Sequence, residues 1–240
     1  MPALLELVGD CSGLNVCDLA CGTGIAAQEL AARGARVTGI DLSERLLGIA
    51  RAEALRRSLT IEFIHADICS LSNISGAAFD GAVCSLALMD IENLDACLGE
   101  VARIVRPGGW FVFTITHPCF QTPESRWTGK SGGTVKREVR GYFREGFWRS
   151  DNAGGVRGQV GAYHRTLSKY FNAMFRTGFS LECVVEPRPT DETASRVPGY
   201  AEVPVVLAAK CGIVRNRVSH RGDSKDAKPV SWDESISRVT

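Results

Sequence analysis

The chain has 240 residues, 45% of them hydrophobic, and a formal net charge of +1. That size and apolar content suit one large α/β domain with a substantial core. Near-neutrality gives no overall pull toward nucleic acid or an acidic membrane. No apolar run is long enough to span a bilayer, and the opening MPALLELVGD lacks the features of a signal peptide. The nine cysteines are scattered singly with no CxxC pair, so no metal site is expected. They read as reduced thiols packed as small hydrophobes in a cytoplasmic protein.

In chain order, LNVCDLA (14–20) reads as a buried strand and IAAQELAARG (25–34) as a helix stopped by Gly34. RVTGIDL (36–42) is a second strand. Ser43 is suited to N-cap a helix over 44–58, with Glu44 at its positive end. IEFIHAD (61–67) and FDGAVCSLAL (79–88) read as strands three and four. Residues 93–106 form a helix with Leu94, Cys97, Leu98, Val101 and Val105 on one face. After a Pro107-Gly108-Gly109 turn, WFVFTIT (110–116) is an all-apolar fifth strand, as suits the middle of a sheet. This alternation predicts a parallel sheet with helices on both faces, whose ligand binds outside the carboxyl ends of the strands. Beyond Thr116 the periodicity lapses over 117–162. A helix over 167–178 and strands over 179–187 and 203–211 follow. Residues 212–240 are polar and read as a disordered tail.

Strand one runs into Gly22-Thr23-Gly24-Ile25-Ala26-Ala27, a G-x-G-x-x-A match that alone is weak. Asp18, four residues before Gly22, sharpens it. A carboxylate at the tip of strand one repels a pyrophosphate and attracts a ligand bearing an ammonium and a sulfonium. It therefore favours S-adenosylmethionine over a nicotinamide dinucleotide. Asp41, at the end of strand two, can accept two hydrogen bonds from a ribose diol. Asp67, in HADI after strand three, can meet an adenine amine with Ile68 packed on the ring. The backbone from Ser85 to Leu88 can line the methionine end. Each residue also has a plainer reading: Gly22 and Gly24 as a tight turn, Asp18 as a cap on the following helix, Asp41 as a helix-terminal charge, Asp67 as a loop acid.

Together these stretches resemble the class I S-adenosylmethionine-dependent methyltransferases, in their small-molecule, type 11-like branch. The likeness covers about residues 10–116: VCDLACGTG as the first motif, VTGIDLS as the ribose loop, HADI as the adenine loop, LGEVARIVRPGG before strand five. Ala20 stands where glycine is common. The resemblance implies a Rossmann-like seven-stranded sheet in the order 3-2-1-4-5-7-6, the last strand antiparallel, with a cap inserted after strand five. It assigns Asp18, Ala20, Gly22, Gly24, Asp41, Leu42, Asp67, Ile68 and Ser85 to the cofactor. With few residues before strand one, any cover over the cofactor is short or comes from elsewhere. The expected organisation is one methyltransferase domain over 1–211, the cap being 117–162.

HPCF after strand five and YHR before the late helix are similar to a bacterial and plant branch of the family. His117 and His164 are accordingly candidates for a base or a substrate-orienting group, or else for hydrogen bonds that tie the cap to the sheet. His65 reads as structural. The cap mixes aromatics (Phe120, Trp127, Tyr142, Phe143, Phe147, Trp148) with arginines, lysines and many glycines. That mixture suits an aromatic or acidic small molecule held under a lid, or a cap with its own small aromatic core. The expected activity is methyl transfer to an O or N atom of a small metabolite by in-line displacement. An RNA or protein methyltransferase and a non-methylating, cofactor-binding relative are the alternatives. Nothing in the chain sets the oligomeric state.

Overall fold

The structure is a computed structural model and describes residues 1–129, 135–151 and 153–214. The tail expected at the C-terminus lies, from residue 215 onward, outside the described residues, as do Lys130, Gly132 and Gly133 of the cap. The chain opens with helix α1 (Pro2–Val8), then runs β1 (Asn15–Leu19), α2 (Ile25–Ala32), β2 (Arg36–Asp41), α3 (Glu44–Arg56), β3 (Ile61–His65), β4 (Phe79–Ser85), α4 (Leu94–Ile104) and β5 (Val105–Thr116). The segment 117–162, expected to form a cap, holds β6 (Arg126–Thr128), β7 (Lys136–Glu138), β8 (Gly146–Trp148) and α5 (Val156–Gln159) and runs into β9 (Ala162–His164). Then come α6 (Leu167–Arg176), β10 (Phe179–Val185), α7 (Asp191–Arg196) and β11 (Val206–Ile213).

Seven strands form one sheet in the order β3-β2-β1-β4-β5-β11-β10. β1 to β5 are mutually parallel, and β11 runs antiparallel to both of its neighbours. With the four short cap strands set aside, this is the order 3-2-1-4-5-7-6. The cap strands pair among themselves as two hairpins, β6 with β7 and β8 with β9.

Local chemistry sets the boundaries. Ser43 caps α3, its side chain accepting from Leu46 N at 3.3 Å, and Asn93 caps α4 in the same way through Ala96 N at 3.0 Å. Pro107-Gly108-Gly109 does not precede β5, as expected, but is a bulge inside it: the register against β4 jumps from Phe79↔Val105 to Gly81↔Trp110. The sheet carries a core on each face. One packs β4, β5 and β11 against α4 and α6 through Leu98, Val101, Phe111, Phe113 and Met174. The other packs α1 and α2 through Leu4, Leu5, Val8, Leu30 and Val112. The short segment before β1 is thus a helix that fills the second core, with only Met1 reaching the cleft described below.

Candidate active site

The carboxyl ends of β1, β2 and β4 converge on a cleft of about 500 Å³. Asp18, Ala20, Gly22 and Asp41 line it from the first two strands; Ser85, Ala87, Asp90 and Ile91 line it from the turn after β4. The backbone at this corner is unusual. Ala20, Gly22, Gly24 and Leu86 all have positive φ. The turn therefore curls back on itself, and its amides face the strand tips.

Asp18 is buried at 1% exposure. Its Oδ2 accepts from Ala27 N, in the first turn of α2, at 2.9 Å. Its Oδ1 is buried with no hydrogen-bond partner among the described residues. Burial pushes this carboxyl up to about 7, against the lowering effect of the Ala27 bond and with help from the nearby Asp41 charge. The cap reading and the ligand reading are therefore compatible: one oxygen holds α2, and the other is an acceptor that a cationic amine in the cleft would satisfy. The site fits a positively charged nucleoside on that ground.

Asp41 is held at both oxygens. Oδ2 accepts from Gly22 N and Oδ1 from Ser43 N, each at 2.8 Å. These bonds fix the carboxylate between the glycine turn and α3, and each oxygen keeps a second lone pair for a diol. The neighbouring Cys21 thiol is pushed far up by burial and by the Asp18 and Asp41 charges, which makes it inert.

The remaining expected contacts are dispersed. Gly24, Leu42, Asp67 and Ile68 are not among the residues lining the cleft. Gly24 N-caps α2 beneath it. Leu42 is an exposed side chain, with its carbonyl 2.8 Å from His65 Nε2. Asp67 is exposed and accepts from Cys69 N through Oδ1 at 2.8 Å. Ile68 is buried in the first core.

Beside the cleft, under the cap, lies a small inner cavity of about 50 Å³ lined by Met89, Trp148, Arg157, His164, Arg165 and Tyr170 among others. The two histidines differ sharply in relation to it. His117 is buried, and both ring nitrogens are engaged: Nδ1 accepts from Cys119 N at 3.2 Å, so the proton sits on Nε2, 2.7 Å from Glu186 Oε1. His164 lines the cavity. Its Nε2 lies 2.8 Å from Tyr142 O, and a carbonyl can only accept, so Nε2 carries the proton. The Nδ1 lone pair of the neutral ring makes no hydrogen bond to a described side chain. Of the two rings, only His164 combines an oriented tautomer with an unengaged basic nitrogen.

Arg165, the third residue of YHR, was not singled out in the sequence. Its guanidinium is buried and donates to Leu88 O at 3.3 Å, to Ile91 O, and to Glu92 O at 2.8 Å. It thereby clamps the turn after β4, which walls the cleft, to the strand that carries His164. Three further arginines between residues 117 and 162 have partners within that segment. Arg137 donates to Phe120 O, Gln121 and Ser125 under the Trp127 ring. Arg126 pairs with Glu138 and Arg144 with Glu124.

A mostly parallel seven-stranded sheet in this order, with a glycine-cornered cleft and two buried acids at its carboxyl edge, defines a nucleoside-cofactor enzyme of the class I methyltransferase fold. Comparison with known proteins agrees. A family profile described as a methyltransferase domain matches residues 17–113. The solved structure of an S-adenosylmethionine-dependent methyltransferase from Mesorhizobium loti is 32% identical, with a TM-score of 0.76, over 88% of this chain and 96% of that one. The chain belongs to the S-adenosylmethionine-dependent methyltransferases. Among curated relatives, a ubiquinone biosynthesis O-methyltransferase from Bordetella avium is 34% identical over 109 residues, and one from Dechloromonas aromatica is 35% identical over 98. These matches cover 45% and 42% of the relatives' lengths, so the matched stretch spans less than half of either enzyme.

Proposed function

We propose that the protein transfers a methyl group to a hydroxyl oxygen of a small molecule, with His164 taking the acceptor's proton. The bound cofactor supplies a methyl group already activated on a sulfonium. The chain's own task is then to hold the acceptor in line, exclude water and accept a proton where the nucleophile arrives protonated. The observation that carries the reading is the His164 ring, which lines the inner cavity: Nε2–H is fixed on the Tyr142 carbonyl, and the Nδ1 lone pair is left unengaged. Oxygen is favoured over nitrogen because a hydroxyl must lose its proton, whereas many amines attack as neutral bases. The O-methyltransferase names of the curated relatives point the same way.

In this reading Asp41 holds the ribose and the free oxygen of Asp18 meets the cofactor's cationic end, across a turn shaped by Ala20, Gly22 and Gly24. Leu42, Asp67 and Ile68 are assigned to the ribose and adenine side of the cofactor. His117 ties the start of the cap to Glu186 beyond β10 and is a positioning residue. Incubation with S-adenosylmethionine and a fractionated metabolite extract, read by mass spectrometry, tests the reading. The expected product is one methylene unit heavier, on an oxygen, and its formation is lost in His164→Gln. A product methylated on nitrogen, or one formed at the full rate by that variant, overturns it.

A further inference from the structure

The turn after β4 and the cap helix α5 meet in one ion pair, Arg157 Nη1 with Asp90 Oδ1. Asp90 lines the cofactor cleft; Arg157 lines the inner cavity beside His164. The pair is therefore the partition between the place for the cofactor and the place for the acceptor. Three features make that partition movable. The inner cavity, at about 50 Å³, is far below the roughly 300 Å³ or more of an ordinary ligand pocket, so an acceptor enters only if a wall shifts. Helix α5 buries no residue and has no side-chain cap, and beyond this pair it is tied to the segment after β8 by Ser150 N donating to Arg157 O at 3.2 Å. Arg157 is also unlike its neighbour Arg165: it has one carboxylate and one carbonyl, Gly161 O at 3.2 Å, where Arg165 has three carbonyls.

We propose that Asp90 exchanges Arg157 for the ammonium end of the cofactor, and that the released guanidinium receives an anionic group of the acceptor. The exchange selects anionic small molecules and orders their binding after the cofactor. It rests on the methyl-transfer reading above. The electrostatics favour it at each step. Desolvation by the surrounding protein holds the Asp90 carboxyl above its ordinary range even with Arg157 beside it, so the carboxylate keeps a strong demand for a cation. A guanidinium freed among Met89, Trp148 and Tyr170 is poorly hydrated, and a carboxylate or phosphate satisfies it with two parallel hydrogen bonds. The aromatic walls suit a ring between that anion and the hydroxyl facing His164.

Binding calorimetry tests this with S-adenosylhomocysteine, which keeps the ammonium, and with benzoate and benzamide as matched anionic and neutral probes. Wild-type protein is expected to bind benzoate only when S-adenosylhomocysteine is present, and benzamide in neither state. Arg157→Gln should bind S-adenosylhomocysteine roughly two- to five-fold tighter, the worth of a partly exposed ion pair that no longer has to be broken, and should lose benzoate. Asp90→Asn breaks the same pair from the other side. It should bind S-adenosylhomocysteine more weakly and take benzoate without it. Unchanged or weakened cofactor binding in Arg157→Gln, or benzoate binding independent of cofactor in the wild type, overturns the exchange alone. Failure of the wild type to bind S-adenosylhomocysteine at all overturns the methyl-transfer reading and the exchange with it.

Discussion

Asp18 and Ala27 are joined by a 2.9 Å bond from the helix amide to one carboxylate oxygen, and the other oxygen of the same carboxylate is buried with no partner. The first bond explains why strand β1 ends where it does and α2 begins where it does. The second oxygen is a cost that the folded chain carries in the absence of a ligand.

That cost has a pH signature. The carboxyl titrates at about 7 in the fold against 3.8 as an ordinary aspartate. The folded state thus binds the proton more tightly than the unfolded one, so stability is full below about pH 4 and is lost as pH rises toward 7. Asp18→Asn removes the charge. Its stability relative to wild type should improve steadily from about pH 4 to about pH 7, by up to roughly 4 kcal/mol, in ligand-free denaturant titrations. A cation in the cleft reverses the burden. Wild-type affinity for S-adenosylmethionine should rise from about pH 5.5 to about pH 7, by up to about tenfold per unit, while the variant binds weakly at every pH. A stability difference that does not change with pH would remove the Asp18 proton from both equilibria.

Asp41 offers a complementary case, since both of its oxygens already accept backbone amides. Asp41→Ala frees the Gly22 amide and uncouples the glycine turn from α3. S-adenosylmethionine affinity in calorimetry should fall about tenfold or more, as expected for a charge-assisted pair plus a loosened turn. A stability loss of roughly 1–3 kcal/mol should accompany it, because the buried carboxylate accepts from both Gly22 N and Ser43 N.

The two histidines should separate in kinetics and stability. With an extract fraction as acceptor, His164→Gln is expected to slow turnover by about 10²–10⁴-fold, with cofactor affinity retained. His117→Ala removes the acceptor of Cys119 N and the ring that meets the exposed Glu186. It should cost roughly 1–3 kcal/mol of stability and slow turnover far less. The reverse pattern would move the base to His117.

The difference between these histidines was not legible in the sequence, where both stand at the edge of the cap with similar claims. Each ring's Nε2 meets a group distant in the chain, Glu186 for one and the Tyr142 carbonyl for the other. The sheet was legible because its evidence is local: periodicity, Ser43 before α3, Gly34 after α2, and an all-apolar β5. The role of Arg165 was hidden for the opposite reason. Its three acceptors are backbone carbonyls more than seventy residues away, which leave no trace in side-chain identity. Ile68 reads two ways in sequence, because an apolar residue after a strand serves a core as readily as a ligand; in the fold it is buried in the first core.

Arg165→Lys tests that clamp. A lysine is a point charge and cannot reach three carbonyls in a fork. Roughly 2 kcal/mol or more of stability should be lost, and cofactor affinity should fall several-fold, because the turn from Ser85 to Ile91 is the far wall of the cleft. A stable variant with a normal cleft would show that the two rings against it, Tyr163 and Tyr170, hold the turn without the hydrogen bonds.

Gly22 and Gly24 stand two residues apart, and alanine should fail at each for a different reason. Gly24 has φ +77, and a Cβ there meets Ala50 Cβ at 3.0 Å and the Phe63 ring at 3.2 Å. Left-handed backbone costs a substituted residue roughly 1–2 kcal/mol before any clash, and α3 and β3 cannot easily give way. Gly24→Ala should therefore lower the denaturation midpoint by the equivalent of about 2 kcal/mol or more. Gly22 has φ +56 with no atom within 4 Å of its would-be Cβ. It lines the cleft, where Gly24 does not. Gly22→Ala should keep most of its stability, losing roughly 1 kcal/mol to the backbone, yet bind S-adenosylmethionine at least about tenfold more weakly, because the new methyl occupies ligand space. Equal stability losses with equal affinity losses at the two positions would mean that the turn acts as one rigid unit, and that the division between packing glycine and ligand glycine is wrong.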